Sequence, residues 1–274
     1  MDRSHLPGLL ASLTLGMLLV ACAGSNNNPS PDTATARIGQ QRDSGPRTVD
    51  SGLLVKQGIH VERIGDTVVY RGRLTDNGLD ALRNVGNEPA IRTLLIDSTG
   101  GDFVTGMDFG NWVVDRALDV TVDLICLSSC ANYIFPAAGK KKILPGAVVA
   151  WNGSAKQAGL LDRLDQTAEA EIATRALTPG QRRAAVKLAH QANLEYLTRT
   201  IREQDEFFYG IGVDEYVTRI GNDKYGVRGF FYLSVADMAE FGIENVSAAE
   251  DYAAMDPEAL AKRVGLPVTL VRIE

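Results

Sequence analysis

Three short motifs hold the side chains of this sequence that could do chemistry. They are residues 97–101 (DSTGG), 126–131 (CLSSCA) and 144–147 (LPGA). A serine hydroxyl or a cysteine thiolate can act as a nucleophile, and glycine, which lacks a Cβ atom, lets a backbone N–H approach a reacting atom closely. Whether the motifs can act together depends on the elements that position them.

Strands and helices alternate through the region that carries these motifs. Apolar and β-branched runs predict a hairpin at 59–74 and then three buried strands, at 91–96, 120–125 and 147–151. Residues with helical spacing separate the buried strands. We therefore predict an α/β fold with a mainly parallel sheet, in which the first two motifs follow neighbouring strands at the same carboxyl edge.

The chain beyond the third motif is mostly helical. A long helical pattern covers 160–208 and is broken at residues 178–181, where Thr178 and Gln181 fit a capping box and Pro179 fits the first helical position. A strand–helix–strand unit follows at 230–246, and another helix and strand end the chain. We predict one α/β domain over 51–274, with an enlarged helical insertion at about 157–210.

In their order and spacing the three motifs resemble the Clp protease proteolytic subunit and crotonase (ClpP/crotonase) superfamily. The likeness is closest to its periplasmic Clp-like branch, whose members often carry a Cys-x-Ser-x-Cys turn. It covers about residues 90–153, and residues 232–243 resemble the closing helix–turn–strand of that family. The resemblance implies a ClpP/crotonase-like fold in which the insertion at 157–210 is an enlarged handle, a segment through which identical copies could assemble.

The resemblance also implies a serine-peptidase site. Ser128 would be the nucleophile on a tight turn that opens a helix, and the amides of Gly101 and Ser129, beside Gly100, would form an oxyanion hole. This placement is physically reasonable, because the unpaired N–H groups at a helix N-terminus stabilise developing negative charge.

The general base of that family is missing from the sequence. Asn152 occupies the position of the family histidine, and asparagine cannot accept a proton at neutral pH. The position of the triad acid holds residues 229–231 (GFF). His60 and His190 lie in the hairpin and the long helix, where we expect structural roles.

Lysine is the remaining candidate base, because the related signal peptide peptidases are Ser-Lys enzymes. Lys156 lies near the expected base position, and residues 140–142 (KKK) are the second choice. Burial could lower the pKa of such a lysine toward neutrality. Two functions stay open: a degenerate domain that binds extended polypeptide in the former substrate groove, and an active serine hydrolase that uses Ser128 with a lysine base.

The first residues are typical of an export signal. Arg3 gives a weak positive start, and the apolar run at 9–21 is too short to span a bilayer. The run ends in residues 19–22 (LVAC), which resemble the lipobox at which bacterial prolipoproteins are lipidated and cut. We predict a signal peptide at 1–21, fatty acyl chains such as palmitate on Cys22, and a flexible polar tether at 22–50.

The cysteine count and the predicted compartment suggest a disulfide. If Cys22 is lipidated, Cys126 and Cys130 are the only thiols left in an oxidising compartment, where an even pair favours a bond between them. Two buried free thiols are the alternative. We expect a lipoprotein that faces the periplasm, and Ala23, in place of the aspartate that retains some lipoproteins at the inner membrane, favours the outer membrane.

Charge and motifs also limit the partners. The net charge of −6 and the lack of a long Lys/Arg block argue against nucleic acid as a partner. The one basic cluster, residues 140–142, is expected to be a solvated turn. The sequence contains no metal-ligand cluster and no phosphate-binding loop motif, so we predict no cofactor.

A Cys22→Ser substitution tests the anchor. We expect the variant to lose its membrane association and to mature more slowly, because acyl chains contribute about 0.8 kcal/mol for each buried CH₂ group. Membrane fractionation and a pulse-chase of the precursor measure both effects. A variant that still sediments with membranes and matures at the normal rate would show that Cys22 carries no lipid.

Overall fold

The computed structural model describes residues 58–274. The predicted signal peptide, the tether and Cys22 lie outside the described residues. The strands in chain order are β1 (His60–Ile64), β2 (Thr67–Arg71), β3 (Thr93–Ser98), β4 (Asp119–Leu127), β5 (Lys141–Ile143), β6 (Val148–Ala150), β7 (Phe230–Leu233), β8 (Val246–Ser247) and β9 (Val268–Val271). The α-helices are α1 (Asp76–Gly86), α2 (Phe103–Asp115), α3 (Phe135–Ala137), α4 (Leu160–Ala173), α5 (Pro179–Ile211), α6 (Ile220–Asp223), α7 (Val235–Ala239) and α8 (Pro257–Val264). A π-helix covers Cys130–Ile134, and two 3₁₀-helices cover Glu215–Thr218 and Tyr252–Ala254.

The central sheet is mainly parallel, as the sequence predicts. Its strand order is β1-β2-β3-β4-β5-β8, with β6 also paired to β4, and the β1–β2 hairpin is its antiparallel pair. A small parallel sheet of β7 and β9 connects to the end of β6 through a bridge between Trp151 and Phe231. The α/β class is thus confirmed.

Strand β4 leads directly into Ser128, and it pairs with two different strands along its length. Its first half pairs with β5, and its last three residues, beginning at Ile125, pair with β6. Between β3 and β4 the register shifts, so that Ile96 faces Val122 while Ser98 faces Cys126. The extra β4 residues form a bulge, a feature that re-aims the end of a strand.

A buried carboxylate fills this bulge. Asp97 accepts hydrogen bonds from the backbone N–H groups of Leu124, at 2.6 Å, and Ile125, at 3.1 Å. The guanidinium of Arg71 lies 3.4 Å from the other carboxylate oxygen. The bulged backbone therefore has acceptors for its N–H groups although it has left the regular ladder.

Two helices make the predicted insertion. The capping box of Thr178 and Gln181 is present, and α5 runs for 33 residues, about 50 Å at the usual rise of an α-helix. The buried side chains of α5 begin at Leu197, so its first half packs only lightly. The helical spacing predicts an apolar stripe of Leu194, Leu197, Ile201 and Phe208 on α5, yet Leu194 is 47% exposed. Within residues 58–274, no helix is both long and apolar enough to cross a membrane.

Asp97 should make stability depend on pH. Burial, the largest effect, raises the pKa of Asp97 to about 6. The folded state then binds more protons than the unfolded state between pH 4 and 6, so this group's stabilisation is present below about pH 4 and is lost as the pH rises through 6. In Asp97→Asn the amide oxygen can still accept both N–H groups without carrying a charge.

We expect the free energy of unfolding of Asp97→Asn relative to wild type to rise by about 3 kcal/mol between pH 4 and 7. Urea unfolding across this range measures it, and Asp80→Asn on the exposed side of α1 is the matched control. Parallel pH profiles for wild type and Asp97→Asn would contradict the raised pKa.

Candidate functional site

Ser128 lies in a left-handed turn at the carboxyl end of β4. Its φ angle is +54°, a conformation that L-residues rarely adopt and that costs about 1–3 kcal/mol. Two backbone hydrogen bonds hold it there: the Ser128 N–H donates to the Ala150 carbonyl at 3.0 Å, and the Ser128 carbonyl accepts from the Asn132 N–H at 2.8 Å. The side chain is half-buried at the sheet edge.

The predicted disulfide is present and spans this turn. Cys126, on β4, is bonded to Cys130, the first residue of the π-helix, with their Cα atoms 5.2 Å apart. Both cysteines are fully buried. The sequence predicts an α-helix at 128–138, whereas the structure has a π-helix followed by the short α3. Such π segments often occur at functional sites.

Gly100 packs directly against the Ser128 turn. Its φ angle is +85°, and a Cβ atom there would lie 2.6 Å from the Leu127 carbonyl oxygen, 2.8 Å from Ser128 Cβ and 2.9 Å from the Ser129 nitrogen. The Ser129 hydroxyl donates to the Gly101 carbonyl at 2.9 Å. The structure therefore brings Gly100, Gly101, Ser128 and Ser129 together, as the sequence predicts.

The two amides assigned to the oxyanion hole have no hydrogen-bond partner among the described residues, and Ser129 itself is fully buried. Within residues 58–274, neither the Gly101 N–H nor the Ser129 N–H donates a hydrogen bond. The Ser128 hydroxyl has no hydrogen-bonding partner in this region either. An oxygen bound between the two amides could accept from both, which is the requirement for stabilising an oxyanion.

Asn152 lies at the same edge as Ser128. Leu127 on β4 faces Ala150 on β6, and Asn152 follows two residues later, half-buried. Trp151 and Phe231 exchange two backbone hydrogen bonds of 2.8 Å each, which places β7 beside this segment. Phe231 is fully buried, so β7 contributes an apolar side chain beside this segment.

Lys156 belongs to an ion-pair cluster near the carboxyl end of α5. Its ammonium contacts the carboxylate of Asp205 and lies 3.9 Å from Glu215. Glu215 is buried and also accepts from the Ser154 hydroxyl at 2.5 Å and from the Gln204 amide at 3.2 Å. The Lys156 ammonium is therefore engaged by two carboxylates and not by the Ser128 hydroxyl.

The lysines at 140–142 lie at the other end of the sheet. Lys141 is paired with Val120 near the start of β4, and the remaining length of that strand, about 20 Å at 3.3 Å per residue, separates it from Ser128. The expectation of a solvated turn is wrong for Lys141, which is a buried residue of β5. Burial lowers its pKa, and its ammonium donates to two backbone carbonyls.

Polar contacts from α5 to the site were not predicted. The Tyr196 hydroxyl donates a hydrogen bond of 2.7 Å to the carboxylate of Asp102, the residue that follows Gly101. The Tyr133 hydroxyl donates a hydrogen bond of 2.7 Å to the side chain of Gln204 on α5. Burial and the Asp102 carboxylate raise the pKa of Tyr196. The signal in the sequence is a polar stripe of Tyr196, Thr200 and Gln204 at helical spacing, of which the last two are fully buried.

The two histidines of the described region lie on β1 and on α5. His60 is on β1, 3.2 Å from Glu62, and His190 is in the first half of α5, 2.6 Å from Asp165. Within residues 58–274, no group of three or more His, Cys, Asp or Glu side chains could hold a metal ion.

Replacing Ser128 by glycine should relieve the strain of the turn. We expect Ser128→Gly to be more stable than Ser128→Ala by about 1 kcal/mol, or about 3 °C in Tm for a domain of this size, because glycine adopts positive φ without steric cost. Calorimetry of both variants measures the difference. A more stable Ser128→Ala would contradict the left-handed geometry.

Comparison with known proteins identifies no family for this chain. No family model matches it, and no curated protein matches it. Inference about its function therefore rests on the residues around Ser128 and on the resemblance carried by residues 90–153.

Proposed function

We propose that this protein is a membrane-anchored periplasmic lipoprotein with a degenerate serine-peptidase-like domain that holds extended polypeptide beside Ser128 without cleaving it. One observation carries the proposal. The strained Ser128 turn packs against Gly100 and is hydrogen-bonded to Gly101 through Ser129, and Asn152 occupies the position that the resemblance gives to the base. We also assign the α/β domain to the ClpP/crotonase-like fold, on the order and spacing of its motifs.

The strained turn supports a role in binding. A left-handed serine is less stable than the alternatives, so its presence favours a site that needs the hydroxyl and the next amide to face outward. A carbonyl oxygen of a bound polypeptide would accept from the Gly101 and Ser129 amides. The Asn152 side chain, which can both donate and accept, would add a hydrogen bond to the polypeptide backbone.

Without a general base beside Ser128, the site could bind a polypeptide but would not cleave it. A serine hydroxyl attacks a carbonyl carbon only when a neighbouring group accepts its proton. Asn152 cannot, and Lys156 is engaged by Asp205 and Glu215. The polypeptide would be bound by main-chain hydrogen bonds, as in other modes of strand recognition, and released unchanged.

An active Ser-Lys hydrolase is the second candidate. It would require Lys156 to leave its two carboxylates and to reach Ser128 in the neutral form. The ion pair with Asp205 is partly exposed, since the Asp205 side chain is 49% accessible, and such pairs are worth little. The candidate therefore makes a distinct prediction for a Lys156 variant.

Partners follow from the same proposal. The anchor is lipid on Cys22, with the outer membrane favoured over the inner. Assembly of identical copies through the insertion at 157–210 is consistent with the first half of α5, whose side chains are little buried. Nucleic acid is not a proposed partner, because the chain is acidic.

Labelling by a fluorophosphonate distinguishes the two functions. We expect no labelling of Ser128 in the wild type, because loss of a triad base lowers turnover by several orders of magnitude. Asn152→His returns an imidazole to the site and should give weak labelling, with Asn152→Gln as the matched control. Gel fluorescence or intact mass measures the adduct.

Strong labelling of the wild type, abolished in Ser128→Ala, would overturn the non-catalytic proposal. If Lys156→Ala then removed that labelling while Asn152→Ala did not, the Ser-Lys hydrolase would replace it.

A further inference from the structure

A pocket opens at the amino ends of the central strands, at the end of the sheet opposite Ser128. Its volume is about 460 Å³. The polar side chains that line it include Thr93, Asp119, Thr121, Lys140, Lys142, Asn245 and Ser247. The basic cluster at 140–142 contributes to this pocket, and the other residues come from separate strands and from the loop before β8.

Strand register places a lysine between two hydroxyl groups. Lys142 on β5 is paired with Thr121 on β4 and with Ser247 on β8. Directly paired residues of neighbouring strands have side chains on the same face, with strands about 4.8 Å apart. Thr121, Lys142 and Ser247 therefore form one row across the sheet, with the lysine side chain between the two hydroxyl side chains.

The burial of Lys141 fixes which way its neighbours face. Its ammonium donates to the Ala138 carbonyl at 2.7 Å and to the Glu244 carbonyl at 3.1 Å on the interior side. Because side chains alternate along a strand, Lys140 and Lys142 both face the pocket. Lys140 is exposed beside Asp119, whose carboxylate accepts from the Lys140 backbone N–H at 2.9 Å.

Several hydrogen-bond donors that line the pocket have no partner among the described residues. Within residues 58–274, the ammonium groups of Lys140 and Lys142 and the hydroxyls of Thr93, Thr121 and Ser247 have no hydrogen-bond or ion-pair partner. The one carboxylate that lines the pocket, that of Asp119, is already bonded to backbone. The pocket therefore offers several donors and a net positive charge in an acidic chain.

We propose that this pocket binds a phosphate group. Phosphate oxygens accept hydrogen bonds from ammonium and hydroxyl groups alike, and charge-assisted bonds of this kind are short and strong. A phosphate seated over Lys142 would have hydroxyl groups on both sides and a second ammonium from Lys140. Its source is either a soluble phosphate or phosphomonoester, or the headgroup of a phospholipid.

Isothermal titration of the full-length protein in detergent micelles tests the site. The probes are inorganic phosphate and glycerophosphoglycerol, the headgroup of phosphatidylglycerol, each at matched ionic strength. We expect binding to the wild type, loss of about tenfold or more in affinity in Lys140→Gln/Lys142→Gln, and no change in Lys262→Gln, an exposed lysine of α8. The lysines of the double variant are surface residues, and circular dichroism checks that it stays folded.

The two probes separate the sources. Binding of inorganic phosphate alone supports a soluble ligand, and binding of glycerophosphoglycerol supports a lipid headgroup. No heat of binding from either probe, or equal affinity in the wild type and the double variant, would overturn the proposal.

Discussion

The backbone of Gly100 touches the turn that carries Ser128, and the geometry of the candidate site depends on this contact. The contact exists because β3 and β4 are parallel neighbours, so the loops that follow them leave the same edge of the sheet. A Cβ atom at position 100 would overlap the Leu127 carbonyl and the Ser129 nitrogen. Only glycine, which also tolerates the φ angle of +85°, allows the two loops to meet.

Several interactions in the neighbouring backbone hold the two loops in place. Asp97 holds the β4 bulge that directs the end of the strand, and the Cys126–Cys130 disulfide closes the turn. The Ser129 hydroxyl ties the turn to Gly101. The folded state thus maintains a strained serine conformation beside two amides that have no hydrogen-bond partner among the described residues. Under the function that we propose, these amides would bind a carbonyl group, and Asn152 and Phe231 would stand where a peptidase needs a base and an acid.

Much of the fold could be predicted because its signals are local. Apolar runs that alternate with helical segments predict the buried strands and their mainly parallel pairing, and Thr178 and Gln181 mark the start of α5 through their own side chains. The disulfide followed from the number and spacing of the cysteines.

The features that sequence reasoning missed depend on distant partners. Lys141 is buried because the segment that leads into β8, about a hundred residues later, supplies the Glu244 carbonyl beside it. Lys156 and Glu215 meet only when α5 packs on the domain, and Leu194 is exposed because that packing begins at Leu197. The bulge depends on pairing between β3 and β4, which no single segment reveals.

Hydrogen exchange of the Gly101 and Ser129 amides tests the central claim most directly. The probe is a reduced, carboxymethylated polypeptide that cannot fold, added to the full-length protein in micelles, with exchange followed by mass spectrometry. If these amides bind the carbonyl groups of extended polypeptide, exchange should slow in the segments 98–102 and 127–132 and stay unchanged on α4. Unchanged exchange in both segments, with the polypeptide bound, would show that it is held elsewhere and would contradict the account.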